Sequence, residues 1–195
     1  MATDISTAAP TTRRPKRADA ARNYDALIAA ARDAFTRDDA DASLEHIARQ
    51  AGVGIGTLYR HFPTRKDLLA AVYEEEVQAI CRSTDDFAGL PPWEALTGWL
   101  RRFTEYAVTK HALMDALMSY VDREDPVFQS CRVAINTTGN TLVERAKASG
   151  DIRPDADFAD IGRMVAGIAT IRNAEPGQIE RILELALDGL RYRTA

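Results

Sequence analysis

The residues of this 195-residue chain whose types and spacing could do chemistry are concentrated between Ser43 and Lys66. Gly54 and Gly56 flank Ile55, and Thr57, Tyr59, Arg60 and His61 follow at once, with Arg65 and Lys66 close behind. The chemistry this set offers is recognition without bond making. Two bare glycines let a backbone come close to base edges, and Thr57 brings a hydroxyl and a methyl to the same place. Tyr59, Arg60 and His61 carry polar tips that can reach phosphates. Covalent catalysis has no comparable support. The sequence contains no GxSxG, no HExxH, no P-loop and no GxGxxG opening a βαβ unit, so no catalytic residue is expected. Cys81 and Cys131 are too few and too far apart for a disulfide scaffold or a Cys-based zinc site. No metal and no cofactor are expected.

The elements that must hold these residues are helical. Tyr24, Leu27, Ile28, Ala31 and Phe35 fall on one face of a first helix. A polar break over Asp38–Ala42 follows, and Ser43 is placed to cap a second helix carrying Leu44, Ile47, Ala48 and Ala51. Gly52 ends it as a left-handed residue would. Thr57–Phe62 resumes the helical spacing, Pro63 stops it, and Thr64 caps a long fourth helix over Arg65–Arg82. Two short helices joined by a tight glycine turn are the helix-turn-helix layout. Beyond a break at Ala88–Pro92 the apolar period returns in five further segments. One is marked by Ile161, Met164, Val165, Ile168 and Ile171, and the last by Ile179, Ile182, Leu183, Ala186, Leu187 and Leu190, with Pro176 near its start. No strand pattern and no repeat is found. The expected class is all-α, about nine helices, with a three-helix helix-turn-helix head on a larger helical body.

Composition agrees. Apolar residues make up 46% and charged residues 28%, which is ordinary globular usage. No run of 18 apolar residues suggests a membrane span, and Met1–Asp19 lacks the apolar core of a secretory signal, so a cytoplasmic protein is expected. Net charge is −4, but it is unevenly placed: residues 1–66 hold 11 Lys/Arg against 8 Asp/Glu, whereas residues 67–195 hold 14 against 21. A relatively basic head on an acidic body fits a nucleic-acid-binding end and a body with another task. Arg13, Arg14, Lys16, Arg17 and Arg22 form a basic cluster in the segment 1–22, read as an arm that either solubilises the chain or follows DNA phosphates.

The pattern Ile47–Ala48 … Ala51–Gly52–Val53 … Gly56–Thr57–Leu58–Tyr59 … His61–Phe62–Pro63 … Leu68–Leu69 resembles the DNA-binding head of the TetR family of bacterial transcriptional regulators, closely so over residues 24–70. The segment Pro92–Trp93–Glu94–Ala95–Leu96 … Trp99–Leu100 is similar to family members from actinobacteria and related groups. The resemblance implies that Ile55–Phe62 enters the major groove, that Thr57 and Tyr59 touch DNA, and that His61 meets phosphate. Arg65, followed by Lys66, stands where the family often has a phosphate-binding Lys. Gly54–Ile55 replaces the family's frequent Ser-Lys, which shifts base reading towards Thr57, Arg60 and backbone shape. The DNA-contact set is therefore Ser43, Gly54, Ile55, Gly56, Thr57, Tyr59, Arg60, His61, Arg65 and Lys66.

In the body, Trp99, Phe103, Tyr106, Met114, Met118, Tyr120, Phe128 and Cys131 could line an apolar ligand pocket or be plain core. The ligand candidates are Trp99, Phe103, Tyr106, Met114, Met118, Phe128 and Cys131. The breadth of the last two stripes suggests a second buried face, and the resemblance implies that these helices pair with their twins through Met164, Ile168, Ile182, Leu183, Ala186 and Leu190. It also implies that the shared fourth helix transmits a ligand-driven change to the head. The expected division is an arm over 1–22, a DNA-binding domain over 23–66, and a ligand-binding and dimerisation domain over 67–195. The expected function is a homodimeric repressor released from a palindromic, double-stranded DNA operator by a small, mainly apolar effector. A helical interaction module, or a non-specific DNA-binding protein without ligand control, is the competing reading.

Overall fold

The computed structural model describes residue 14 and residues 18–36, 42–109, 111–122 and 124–191. Among the described residues there are nine α-helices: α1 (Ala18–Thr36), α2 (Leu44–Gln50), α3 (Ile55–His61), α4 (Arg65–Arg82), α5 (Pro92–Thr109), α6 (His111–Met118), α7 (Pro126–Ala148), α8 (Phe158–Ala169) and α9 (Gln178–Asp188). A 3-10 turn, Ser83–Phe87, lies between α4 and α5. The only extended pairing among them is an isolated bridge between Ile152 and Arg191. The all-α class is therefore the observed one.

The backbone divides into two compact units. The first comprises the described residues as far as Glu74 together with Ala112–Val127, and the second Glu75–His111 together with the described residues from Phe128 onward. The segment 112–127, which the sequence places in the body, thus groups with the head.

In the first unit α1, α2 and α3 pack on one another. Leu27, Phe35, Ile47, Leu58, Phe62 and Leu69 are its deeply buried apolar side chains. Helix α1 starts at Ala18, more than a turn before the apolar period begins at Tyr24, so Arg22 belongs to the helix and not to an arm. Its guanidinium pairs with Asp19. Arg14 reaches α1 through two hydrogen bonds, Nε to Asp25 Oδ1 at 2.9 Å and Nη2 to Oδ2 at 2.6 Å. That guanidinium holds the Asp25 carboxyl below its usual pKa. Arg13, Lys16, Arg17 and residues 37–41 of the polar break lie outside the described residues. Ala42, counted with that break, is buried.

In the second unit α5 packs on α8, on α9 and on the 3-10 turn, and α8 packs on α9. At its centre Trp99 is fully buried and donates Nε1–H to the Ile80 carbonyl at 3.0 Å. Its ring stacks on Phe103 with centroids 5.4 Å apart and tilts against Phe158 at 5.7 Å. Arg101 forks onto Glu184 between α5 and α9, at 2.7 and 3.0 Å, and holds that carboxyl below its usual range. Both partners are half exposed, so this pair orients more than it stabilises.

One close approach fixes residue size. A Cβ at Gly139 on α7 would stand 2.3 Å from the Phe158 ring. Phe158 is itself fully buried, so the ring has nowhere to retreat. Gly139→Ala is expected to cost about 1–3 kcal/mol through overpacking, and the double variant Gly139→Ala/Phe158→Leu to recover part of that loss in calorimetry.

The apolar period misleads at the ends of the last two helices. Helix α8 stops at Ala169, with Thr170 as its C-cap, and Ile171 is exposed rather than part of the stripe. Asn173, at φ 57°, turns the chain. Helix α9 starts behind Gly177, which is left-handed at φ 72°, so Pro176 precedes the helix. Leu190 lies beyond its end.

Candidate nucleic-acid interface

The recognition elements are built by local signals. Ser43 takes an extended conformation and its Oγ accepts from His46 N–H at 3.1 Å, capping α2. Ser43 is thus a cap on an exposed edge. Ile47 and Ala48 bury the inner face of α2. Gly52 is left-handed at φ 70°, which permits its N–H to bond Arg49 O at 3.1 Å and that of Val53 to bond Ala48 O at 3.0 Å. Gly54 then starts α3 with no side-chain cap.

Helix α3 buries only Leu58. Gly54, Ile55, Gly56, Tyr59 and Arg60 are exposed, Tyr59 at 45%. A Cβ at Gly54 or Gly56 would meet nothing within 4 Å, and neither residue has a positive φ. Nothing among the described residues requires glycine there, in contrast with Gly52. Bare backbone on an outward face is what close approach by an external partner needs.

The C-terminal end of α3 is anchored. Phe62 is fully buried, with its ring 5.2 Å from that of Tyr24. His61 sits edge-on to Tyr24 at 6.1 Å and is half-buried. Burial, and then the nearby Arg60 guanidinium, push its imidazole pKa below the ordinary 6.5. Arg60 folds back along the helix, Nε to Gly56 O at 3.0 Å and Nη2 to Thr57 Oγ1 at 3.1 Å.

The two cations at the start of α4 are engaged within the first unit. Arg65 Nη1 donates to the Ala42 carbonyl at 2.6 Å, and its guanidinium lies 5.2 Å over the Phe35 ring. Lys66 Nζ meets Asp125 Oδ2 at 3.3 Å. Thr64 caps α4 as expected, but with a partner the sequence reading did not name. Thr64 N–H bonds Asp67 Oδ2 at 2.9 Å and Asp67 N–H bonds Thr64 Oγ1 at 3.2 Å, a reciprocal capping box closed by Asp instead of Glu.

The other candidate sets are distributed as follows. Trp99, Phe103 and Tyr106 form a continuous stack on α5, the last two centroids 6.1 Å apart. Phe128 and Cys131 are buried on α7, and Met114 and Met118 are half-buried on α6, within the first unit. Ile168 and Leu183 are buried in the second unit's core, while Met164, Ile182, Ala186 and Leu190 are partly buried at its margin. Leu185 on α9 was not singled out by the period, yet it is 74% exposed, the most exposed large apolar side chain among the described residues. No described helix is long and apolar enough to cross a membrane. Among the described residues no three His, Cys, Asp or Glu side chains gather as a metal site.

A short exposed helix presented behind a tight glycine turn, on a three-helix head, defines a helix-turn-helix protein. Residues 27–72 match the profile of the bacterial regulatory proteins of the tetR family, and residues 91–192 match that of the SbtR-like transcriptional regulator C-terminal domain. The TetR transcriptional regulator SCO0520 from Streptomyces coelicolor is 43% identical, with a TM-score of 0.74 over 87% of this chain and 99% of that one. A TetR regulatory protein from Mycobacterium vanbaalenii is 34% identical, with a TM-score of 0.75 over 91% and 100%. The HTH-type transcriptional regulator SAR0097 of Staphylococcus aureus is 32% identical over 75 residues, 37% of this chain and only 39% of that protein. The chain belongs to the TetR family of transcriptional regulators. Neither matching profile is that of an enzyme.

Proposed function

We propose that the protein is a homodimeric repressor that binds a palindromic operator through α3 and leaves it when a small, mainly apolar effector binds the body. The observation that carries the DNA reading is the pair Gly54 and Gly56, bare on an outward face with no internal reason to be glycine. The expected organisation remains an arm, a DNA-binding head and a ligand-binding, dimerising body. Ile55, Thr57, Tyr59 and Arg60 face the major groove in this reading, and Ser43, His61, Arg65 and Lys66 the flanking phosphates. Arg65 and Lys66 must share or exchange their internal partners to do so.

Dimerisation is supported by the apolar surface of α8 and α9. Leu185 and Ile171 are exposed, and Met164, Ile182, Ala186 and Leu190 are only partly covered. A two-fold pairing would set two recognition helices ~34–36 Å apart, or a multiple of that, matching a palindrome. The aromatic stack of Trp99, Phe103 and Tyr106 supplies an apolar interior against which an apolar effector could act. An effector that favours one arrangement of the body lowers operator affinity by its difference in affinity for the two.

The test is binding to the DNA upstream of the protein's own coding region, against scrambled competitor, at two salt concentrations. A specific regulator keeps a preference of ~10³ or more over competitor while both affinities fall with salt. Equal affinities would instead select the non-specific alternative.

His61 gives this reading a pH dependence. In the free protein burial, and then Arg60, lower the pKa of its imidazole. A phosphate beside it favours the imidazolium, so binding takes up a proton. Operator affinity is expected to rise as pH falls through the interval between the free and the bound pKa, and to be flat above it. In His61→Gln the rise should vanish in titrations at fixed salt.

A further inference from the structure

The Arg60 hydrogen bonds bear on which base is read. This inference rests on the DNA-binding reading above. Arg60 is exposed near the C-terminal end of α3, and its side chain leans back along the helix, as helical side chains do, to Thr57 Oγ1 at 3.1 Å and Gly56 O at 3.0 Å. The guanidinium is therefore held one turn back along the helix, at the Gly56 carbonyl and the Thr57 hydroxyl.

The edge it uses is also informative. Nε and Nη2 form the side edge of the guanidinium, and both are directed at the helix. The end edge, Nη1 with the second hydrogen of Nη2, remains as two parallel N–H donors. Such a fork matches the O6 and N7 acceptors of guanine in the major groove. Thr57 accepts from Arg60, so its own hydroxyl hydrogen and its methyl stay available beside the fork.

We infer that Arg60 is a specificity-determining residue that reads one guanine per half-site through its end edge, with Thr57 as the positioning residue that holds the guanidinium over Gly56. The bare Gly54 and Gly56 positions stay open beside this pair, since a Cβ at either would meet nothing within 4 Å, and they leave room for a base edge to approach it.

The experiment is selection from a randomised duplex library by the full-length protein, followed by binding to the selected duplex and its single-base variants. Wild type should select a guanine at one position per half-site and lose about tenfold in affinity when 7-deazaguanine, which lacks N7, replaces it. Arg60→Ala should lose the preference there while other positions keep theirs, and Arg60→Lys, which keeps the charge without the fork, should lose most of it. Thr57→Val should blur the same position and Thr57→Ser restore it. Thermal unfolding by circular dichroism shows that each variant is folded. If Arg60→Ala weakens all duplexes equally and leaves the selected sequence unchanged, Arg60 is a phosphate contact and the inference is overturned, while the regulator reading stands. If Arg60→Ala keeps the guanine and loses only a different base, the inference is likewise overturned. If wild type selects no sequence at all, the reading beneath it fails instead.

Discussion

Trp99→Ala is expected to lower stability by about 3–5 kcal/mol, the usual cost of truncating a fully buried Trp. For a chain of this size that corresponds to a drop of roughly 10 °C in Tm. Three losses combine at this site. The ring's contacts with Phe103 and Phe158 disappear, a large cavity opens in the core of the second unit, and the Ile80 carbonyl loses the indole N–H it accepts at 3.0 Å. Trp99→Phe keeps most of the volume and should cost clearly less. Differential scanning calorimetry decides between them: equal, small losses for both variants would mean that the ring is not the keystone of this core.

Leu185→Glu is expected to leave the chain folded and make it single. Leu185 is 74% exposed, so nothing inside the chain depends on it, and its replacement should change Tm by little. A carboxylate buried at a two-fold interface would face its own copy unpaired. Light scattering should give the mass of two chains for wild type and of one chain for the variant. Operator affinity should fall about 100-fold, because two linked half-site contacts become one. A variant that remains dimeric with full affinity would remove Leu185, and the α9 surface around it, from the interface.

Much of the fold was legible because its stops are local. Ser43, Gly52, Pro63 and Thr64 each act within four residues of themselves, through a cap, a left-handed turn, a blocked N–H and another cap. Periodicity gave the existence of the later helices but not their ends. Ile171 continues the arithmetic of α8, yet the helix has already closed at Thr170 and the chain turns at Asn173. An Asn shortly after an apolar period is a known stop signal and was there to be read. Helix α1 begins before its apolar period because Ala18–Asn23 carries no apolar stripe, while its three Ala and Arg22 favour the helix and Asp19 suits its first turn.

The site was legible as a motif and less so as a geometry. The positions of Gly54, Gly56 and Thr57 followed from sequence, and the i−3 and i−4 spacing of Arg60 from Thr57 and Gly56 was there to suggest its return. The place of Arg65 in the motif implies a phosphate ligand. Its engagement with Ala42 and Phe35 joins residues more than twenty positions apart, which no local pattern encodes. Leu185 escaped for the opposite reason. It lies off the core-facing stripe of α9, and a period marks what a chain buries in itself, not what it leaves for another chain.

The internal pairing of the head's cations has a consequence for the response to salt. Binding strength falls with ionic strength in proportion to the counter-ions a protein displaces from the duplex, about 0.9 per neutralised phosphate on a logarithmic scale. Arg14, Arg22, Arg65 and Lys66 already have acceptors within the first unit. Each contributes to displacement only to the degree that phosphate outcompetes that acceptor. The 11 basic residues of positions 1–66 therefore overstate the electrostatic grip, and the slope should be shallower than their number. A head so arranged loses less affinity to added salt than its count of basic residues suggests, and a larger share of its binding then rests on contact with the bases themselves.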